Sequence, residues 1–181
     1  MKELRWVLIL TLLFLPARAQ NSSAVCRLKT KYDRVTETTT VQCEIVHGDE
    51  HPARLSVYAA AAYRGEEPNE EGQFWFALHS NRNGATRQTK PLFQQATTLS
   101  LMLDKQAVEV PIKDYRKDYF ENVRQYAESA RAEIRREDLL KLLAVTTLTG
   151  RWGGVEFKFS AAELAALKDF ISHQLLIAPS R

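Results

Sequence analysis

The sequence predicts an α+β fold: a mostly antiparallel β-sheet or two-layer sandwich of about eight or nine strands, with a short helix and a C-terminal amphipathic helix. Three observations predict it. Apolar residues alternate with polar ones over most of the chain, glycine-containing turns separate these runs, and helical spacing of apolar residues is clearest near the C-terminus. A roll of about seven strands capped by one C-terminal helix is the near alternative.

Residues 1–19 have the pattern of an export signal. Two basic residues precede an apolar run at residues 6–15, and small residues flank a cleavage point after Ala19. The run is too short for a transmembrane helix, which needs about 20 apolar residues. We therefore expect an exported protein, periplasmic or extracellular, whose mature part is a single β-rich globular domain over residues 20–181.

The net charge bears on the class of partner. The whole chain has a formal charge of +3, and the predicted signal holds three basic residues and one acidic residue. The remainder therefore has 22 basic and 21 acidic residues and a charge of +1. Because a nearly neutral domain has no strong field to attract a polyanion, we expect no nucleic-acid partner. We also expect no membrane span after signal cleavage.

The chain has two cysteines, Cys26 and Cys43. In an oxidising compartment we expect them to form one disulfide, worth about 3 kcal/mol in the chain-entropy account. Both cysteines fall on the apolar faces of consecutive predicted strands. Antiparallel pairing about residues 34–35 would place Cys26 opposite Cys43 and Leu28 opposite Val41 on the core side. Two separate buried thiols are the alternative.

The middle of the chain predicts a series of strands. Residues 55–63 alternate and predict one strand, which the acidic stretch at 65–72 ends. Residues 74–78 have bulky side chains on both faces, so we expect this strand near the centre of the sheet. A long polar loop is predicted at residues 81–90.

Residues 99–112 predict a β-hairpin. Leucines at positions 99, 101 and 103 mirror apolar residues at 108, 110 and 112. Two registers keep these rows face to face, one centred on Asp104-Lys105 and one on Lys105-Gln106.

The last third of the mature chain predicts a helix, a hairpin and a second helix. A short leucine-rich helix is expected at residues 136–144, and Gly153-Gly154 then forms a two-residue hairpin turn that places Gly150 against Phe157. The stretch from Ser160 to Glu163 is a capping box, which predicts the start of the C-terminal helix.

Residues 113–134 fit two structures. Tyr119, Val123, Tyr126 and Ile134 follow helical spacing, whereas Tyr126, Ala130 and Ile134 also share one face of a strand. Periodicity alone favours the helix.

Two segments carry a resemblance. They are Tyr32-Asp33-Arg34-Val35 with the threonines at 38–40, and the closing stretch from Leu148 to Phe170. The chain resembles a group of exported bacterial domains of unknown function that share a strand–threonine opening and a closing strand, hairpin and helix. The resemblance implies that residues 126–134 form a strand running into a short helix, and we adopt the strand. It implies a fold and no chemistry.

The segment from His47 to His51 matches H-x-x-E-H, the pattern of inverted zinc peptidases. That chemistry needs both imidazoles on one helical face beside the glutamate. Gly48 and the following Pro52 instead indicate a turn between strands. His47, Glu50 and His51 are thus candidate metal ligands on the motif alone, and a polar hairpin tip is the simpler interpretation.

The remaining polar groups predict structure more readily than chemistry. His79 ends a predicted strand, and His173 lies in the last turn of a helix, where a cation interacts well with the helix dipole. The acidic loop lacks the calcium-loop spacing; its glutamates are Glu66, Glu67, Glu70 and Glu71. A set of arginines is expected on an exposed edge and a helix start: Arg131, Arg135 and Arg136. No phosphate loop, dinucleotide fingerprint or serine elbow occurs in the sequence, so we expect no cofactor.

These patterns favour a non-enzymatic exported domain that binds a protein or a cell-envelope component through exposed strands. One alternative is a metal-dependent hydrolase using His47, Glu50 and His51. Another is a carrier of a small apolar ligand, held between the sheet and the C-terminal helix. Its cavity would be lined by residues that more often form plain core: Phe74, Phe76, Phe157 and Leu167.

Overall fold

The computed structural model describes residues 26–48 and 54–175, so the predicted signal at 1–19 lies outside the described residues. The described residues form nine strands, two α-helices and a 3-10 turn at Glu121–Val123. The elements are β1 (Leu28–Asp33), β2 (Thr38–Gly48), β3 (Arg54–Arg64), β4 (Gln73–Asn83), β5 (Thr98–Leu103), β6 (Gln106–Phe120), β7 (Gln125–Glu133), α1 (Arg136–Ala144), β8 (Leu148–Trp152), β9 (Val155–Lys158) and α2 (Ala161–Leu175).

The strands form one open sheet in the order β1-β2-β3-β4-β7-β6-β5-β8-β9, and every neighbouring pair is antiparallel. The β-rich prediction is confirmed. A second, separate sheet of the kind that a sandwich requires is not found among the described strands. β4 lies between β3 and β7 in the interior of the sheet, as its two-sided apolar pattern predicts.

The register of the β1–β2 hairpin differs from the prediction by two residues. Leu28 lies opposite Cys43, and Thr30 lies opposite Val41. The predicted placement of Cys26 opposite Cys43 and of Leu28 opposite Val41 is therefore wrong. Because side chains alternate with period two, a shift of two residues leaves every side chain on its predicted face.

Turn chemistry explains this register. Asp33 accepts hydrogen bonds from the backbone N–H groups of Val35 and Thr36 at 2.9 and 3.4 Å. Glu37 has a positive φ of 50°, which closes a four-residue turn at 34–37. A side chain that bonds to the backbone two residues ahead is a common way to start a turn.

The predicted disulfide is confirmed. Cys26 and Cys43 are bonded, with Cα atoms 5.3 Å apart, although the two residues are not directly opposite in the ladder. Cys43 is fully buried in the core. The bond fastens the chain just before β1 to the middle of β2.

β6 is the strand that joins the two parts of the sheet. Residues 106–111 pair with β5 on one side, and residues 112–120 pair with β7 on the other. The register to β7 shifts between Lys113 and Arg116, and Asp114 has a φ of 52°. Such a bulge reverses which face successive side chains occupy. Tyr115 thereby reaches the interior.

The ambiguous stretch is a hairpin. β6 continues to Phe120, the 3-10 turn follows, and β7 begins at Gln125. The strand implied by the resemblance is confirmed, and the helical periodicity of residues 113–134 is misleading. In the β5–β6 hairpin, Leu103 lies opposite Gln106. The turn is therefore centred on Asp104-Lys105, which is one of the two predicted registers.

Buried apolar side chains from the sheet and both helices form one cluster. α2 packs on β2, β3, β4 and α1, and the Phe170 ring on α2 lies 6.2 Å from the Phe74 ring on β4. The predicted capping box is present, with the Ser160 N–H bonded to Glu163 at 2.7 Å and the Glu163 N–H bonded to the Ser160 hydroxyl at 3.3 Å. The Phe157 ring covers Gly150 so closely that no side chain would fit there.

Candidate functional site

β1 is one edge of the sheet, and all six of its side chains are exposed. Its inner row consists of Leu28, Thr30 and Tyr32, which face the core residues of β2, yet Leu28 is 53% and Tyr32 38% exposed. Its outer row consists of Lys29, Lys31 and Asp33, and the exposed Arg27 and Arg34 flank the strand. The edge therefore has an uncovered apolar row and a basic row.

The opposite edge of the sheet is different. β9 has four residues and approaches β2, and its Phe157 is buried over Gly150. A short edge with buried side chains offers less to an incoming strand. Of the two edges, β1 is the longer and the more exposed.

A cleft of about 670 Å³ opens where β6 separates from β7. This volume lies within the range of about 300–1,000 Å³ typical of small-molecule sites. The apolar part of its wall comes from Phe74, Pro111, Ile134, Leu139 and Leu175, and its charged part from Glu109, Lys113, Glu133, Arg135 and Arg136.

The cleft exposes an unpaired stretch of strand. The Ile112 N–H bonds to the Thr97 carbonyl at 2.8 Å, so Ile112 points its backbone groups toward β5. Alternate residues of an antiparallel strand point the opposite way, which directs the N–H and C=O of Glu109 and the C=O of Pro111 away from β5. β7 pairs with β6 only from Ile112 onward. Along residues 106–111, that side of β6 therefore has no strand beside it among the described residues.

One side of the cleft mouth is an ion-pair group. Glu133 bonds to the Lys113 ammonium at 2.7 Å and to the Arg131 guanidinium at 2.8 Å. The Lys113 hydrogen bond and, after it, the charge of Arg131 lower the pKa of the Glu133 carboxyl, against the opposing effect of burial. Arg131 also lies 4.0 Å from the centre of the Trp75 ring. Glu133 is therefore paired with two cations, and this group has a net charge of +1.

The arginines at the start of α1 differ in their partners. Arg135 donates two hydrogen bonds to Asp138 and forms an ion pair with Glu137. Arg136 donates one hydrogen bond to the Glu70 carbonyl oxygen at 2.6 Å, and no carboxylate among the described residues pairs with it. Arg136 is thus the cation of the cleft that has no carboxylate partner among the described residues, and its guanidinium, which carries five N–H groups, keeps unused donors.

A buried carboxylate on β7 is a different kind of polar site. Glu128 is 2% exposed. Its Oε1 accepts hydrogen bonds from the Phe93 N–H at 2.9 Å and the Tyr115 hydroxyl at 2.7 Å, and its Oε2 from the Leu92 N–H at 3.0 Å and Arg82 at 3.4 Å. Burial and then the bond to Glu128 raise the pKa of Tyr115. This saturated carboxylate fastens the loop after β4 to the sheet and leaves no room for a ligand.

Of the three H-x-x-E-H candidates, the structure describes the backbone of His47. His47 lies in β2, with its backbone paired to Ser56, whereas Glu50 and His51 lie outside the described residues. The backbone at His47 is a strand, whereas the H-x-x-E-H chemistry requires a helix there. Within the described ranges, no group of three or more His, Cys, Asp or Glu residues could hold a metal ion.

The other predicted polar residues occupy separate places. The His79 ring lies 5.2 Å from the Tyr58 ring, and burial lowers its pKa although Glu44 opposes the shift. The His173 Nδ1 lies 2.8 Å from the Asp169 carbonyl oxygen on α2. The acidic loop at 65–72 is bonded to Arg136 through a backbone carbonyl, not through its carboxylates.

The aromatic rows considered for an apolar carrier pack as core. Phe74, Phe76, Phe157 and Leu167 are 7% exposed or less, and the rings of Phe74 and Phe76 lie 5.4 Å apart. Of the four, Phe74 also reaches the wall of the cleft.

Comparison of the chain with protein-family models, with curated proteins and with solved structures finds no match. Of the helices in the described ranges, none has the length and apolar character needed to cross a membrane. The candidate functional features of the molecule are therefore two open strand edges, at β1 and in the cleft. The sequence contained one signal of the first, since Lys29 and Lys31 alternate with Leu28 and Tyr32 in the manner of a strand with two different faces.

Proposed function

We propose that the protein is an exported, non-enzymatic binding domain that takes an extended segment of a partner protein as a tenth strand beside β1. The single observation that carries the proposal is the exposure of β1 on both faces at an edge of the sheet. The backbone groups of such an edge that point away from β2 can form a new ladder with an incoming strand.

The side chains of β1 define the partner's chemistry. A strand that pairs with β1 alternates its side chains in the same way. Apolar residues on one face would cover Leu28 and Tyr32, and acidic residues on the other would lie beside Lys29 and Lys31. The expected segment therefore alternates apolar and acidic residues.

The lysines also act against self-association. Edge lysines hinder the pairing of identical edges, because two copies would place like charges side by side. The same two lysine charges attract an acidic segment. They therefore hinder pairing between two copies of β1 and favour an acidic partner. The disulfide supports both, because it holds the start of β1 against β2.

A peptide titration tests the proposal. The probe is a blocked seven-residue peptide of alternating valine and glutamate, and its lysine counterpart is the control. We expect the acidic peptide to shift the NMR signals of the β1 amides and the lysine peptide to leave them unchanged. Reversing the edge charges with Lys29→Glu and Lys31→Glu should weaken binding of the acidic peptide by about tenfold or more.

The matched control reverses two exposed lysines elsewhere, with Lys105→Glu and Lys158→Glu. These changes alter the net charge equally but leave β1 intact, so binding should persist. Equal loss in both double variants would show attraction by net charge alone. Shifts outside β1, or none with the acidic peptide, would refute strand addition at this edge.

A further inference from the structure

We propose that the cleft between β6 and α1 is a second site, which binds the carboxyl-terminal end of an extended peptide chain. It is separate from the β1 edge, and the inference does not depend on strand addition there. Three features of the cleft support it: an open strand edge, an apolar wall and a cation with unused donors.

In the part of the chain that the structure describes, the open edge of β6 has unpaired backbone N–H and C=O groups that can form hydrogen bonds with a ligand. Glu109 directs its N–H and C=O into the gap, and Pro111 directs its C=O there, as the bond from Ile112 to Thr97 indicates. Pro111 has no N–H, so its position in the strand costs no bond to β5. A peptide segment in the gap would form hydrogen bonds with these groups and would lie beside β6 as a short added strand.

The gap is closed at one end, which favours a chain terminus. β7 occupies the same side of β6 from Ile112 onward. At the junction the chain stays beside β4, because the Ile134 N–H bonds to the Phe74 carbonyl on β4 at 3.2 Å. An added strand must therefore stop at the C-terminal end of β7, near Glu133. The residues at this stop are Lys113, Glu133, Arg135 and Arg136.

The charges at the stop select a carboxylate over an ammonium. Glu133 is neutralised by Lys113 and Arg131, and Arg135 is occupied by Asp138. Arg136 keeps unused N–H donors, and guanidinium groups bind carboxylates in a bidentate fashion. With its carboxylate at the junction, the peptide would run parallel to β6.

The wall accommodates an apolar final side chain. Leu139 on α1, Leu175 at the end of α2 and Ile134 after β7 face the cleft beside Phe74. The ligand class is therefore a peptide or protein tail that ends in an apolar residue with a free carboxylate.

Binding of two versions of one peptide tests the inference. The probe is an N-acetylated hexapeptide of alternating threonine and leucine that ends in leucine, as the free acid and as the C-terminal amide. Calorimetry should show the free acid binding at least about tenfold more tightly than the amide. Arg136→Gln should remove this difference, reducing the affinity of the free acid while leaving that of the amide unchanged. Arg151→Gln, the same change on an exposed arginine of β8, should have no effect.

A second pair of variants tests the strand edge. Glu109→Pro removes the N–H that points into the cleft, whereas Glu109→Ala removes only the carboxylate. We expect binding of the free acid to fall about tenfold with proline and to persist with alanine. Circular dichroism of both variants checks that the sheet is retained, and Arg136→Gln provides the decisive comparison if the proline variant does not fold.

Three outcomes would overturn the inference: equal affinity for acid and amide, an unchanged affinity for the free acid in Arg136→Gln, or no binding of the free acid. The Lys29→Glu, Lys31→Glu protein distinguishes the two sites. It should bind the free-acid peptide normally even though the β1 edge is altered.

Discussion

β7 and β1 belong to the same sheet but differ in how far their polar side chains are exposed to solvent. On β7, the Glu128 carboxylate is buried and both of its oxygens are saturated by groups from the surrounding chain. On β1, every side chain is exposed, and one strand and one disulfide hold it. The Glu128 carboxylate is fully bonded within the fold, whereas the exposed side chains of β1 remain available to a partner.

The substitution expected to lower the free energy of unfolding most is on β7, at Glu128. Glu128→Ala leaves the buried Phe93 N–H, the partly buried Leu92 N–H and the Tyr115 hydroxyl without their acceptor. We expect a loss of about 3–5 kcal/mol in the free energy of unfolding, measured with urea. Binding of the valine–glutamate peptide at β1 should be unchanged in the folded fraction.

The control is Glu121→Ala, which removes an exposed ion pair with Arg87. It should cost less than about 1 kcal/mol. Similar costs for the two variants would mean that Glu128 does not fasten the loop as described.

The next effect concerns the attachment of β1. Reducing the Cys26–Cys43 bond should lower the free energy of unfolding by about 3 kcal/mol, because the bond closes a loop of 17 residues. The amides of β1 should then exchange with solvent faster, whereas those of β7 should keep their relative protection. Uniform loosening of both strands would contradict the view of β1 as a separately held edge.

A smaller effect depends on pH and concerns α1. Hydrogen bonds from Lys141 and Arg135 lower the pKa of the Asp138 carboxyl below its ordinary value of 3.8. Its folded pKa is depressed, so its contribution is complete above about pH 3.8 and is lost as the pH falls further. Asp138→Asn should cost about 1 kcal/mol at neutral pH, since both cationic partners are partly exposed. In urea titrations, the gap between variant and parent should close in acid; a constant gap would refute this role.

The smallest effect is at the start of α2. Ser160→Ala removes the hydroxyl that accepts the Glu163 N–H, and we expect a cost of about 0.5 kcal/mol in urea unfolding. Ser100→Ala, which removes an exposed hydroxyl bonded to Glu109, is a suitable comparison outside any helix. Neither change should affect the peptide affinities of the two proposed sites.

Local patterns in the sequence predict much of the fold. The helix at Arg136–Ala144 and the Gly153-Gly154 hairpin depend on neighbouring residues, and the structure has them at the expected places. The hairpin over residues 99–112 is also present, in one of its two predicted registers. The β1–β2 register depends on the Asp33 turn and on a positive φ at Glu37, neither of which alternation reveals.

The sites were harder to predict than the fold. Glu128 looks like an ordinary polar residue of an alternating strand, because its side-chain partners Tyr115 and Arg82 lie 13 and 46 residues away in the chain. The cleft depends on the bulge at Asp114 and on the division of β6 between two partners. Sequence spacing does not show which strands become neighbours, so neither site could be assembled in advance.

Hydrogen exchange of the backbone amides tests whether β1 is an edge available for strand addition. In the free protein, the β1 amides that point away from β2 should exchange rapidly while those of β7 remain protected. A saturating amount of the valine–glutamate peptide should slow these β1 amides at least about tenfold and leave β7 unchanged. Outward amides that are already protected in the free protein, or that exchange at the same rate with the peptide present, would contradict the account.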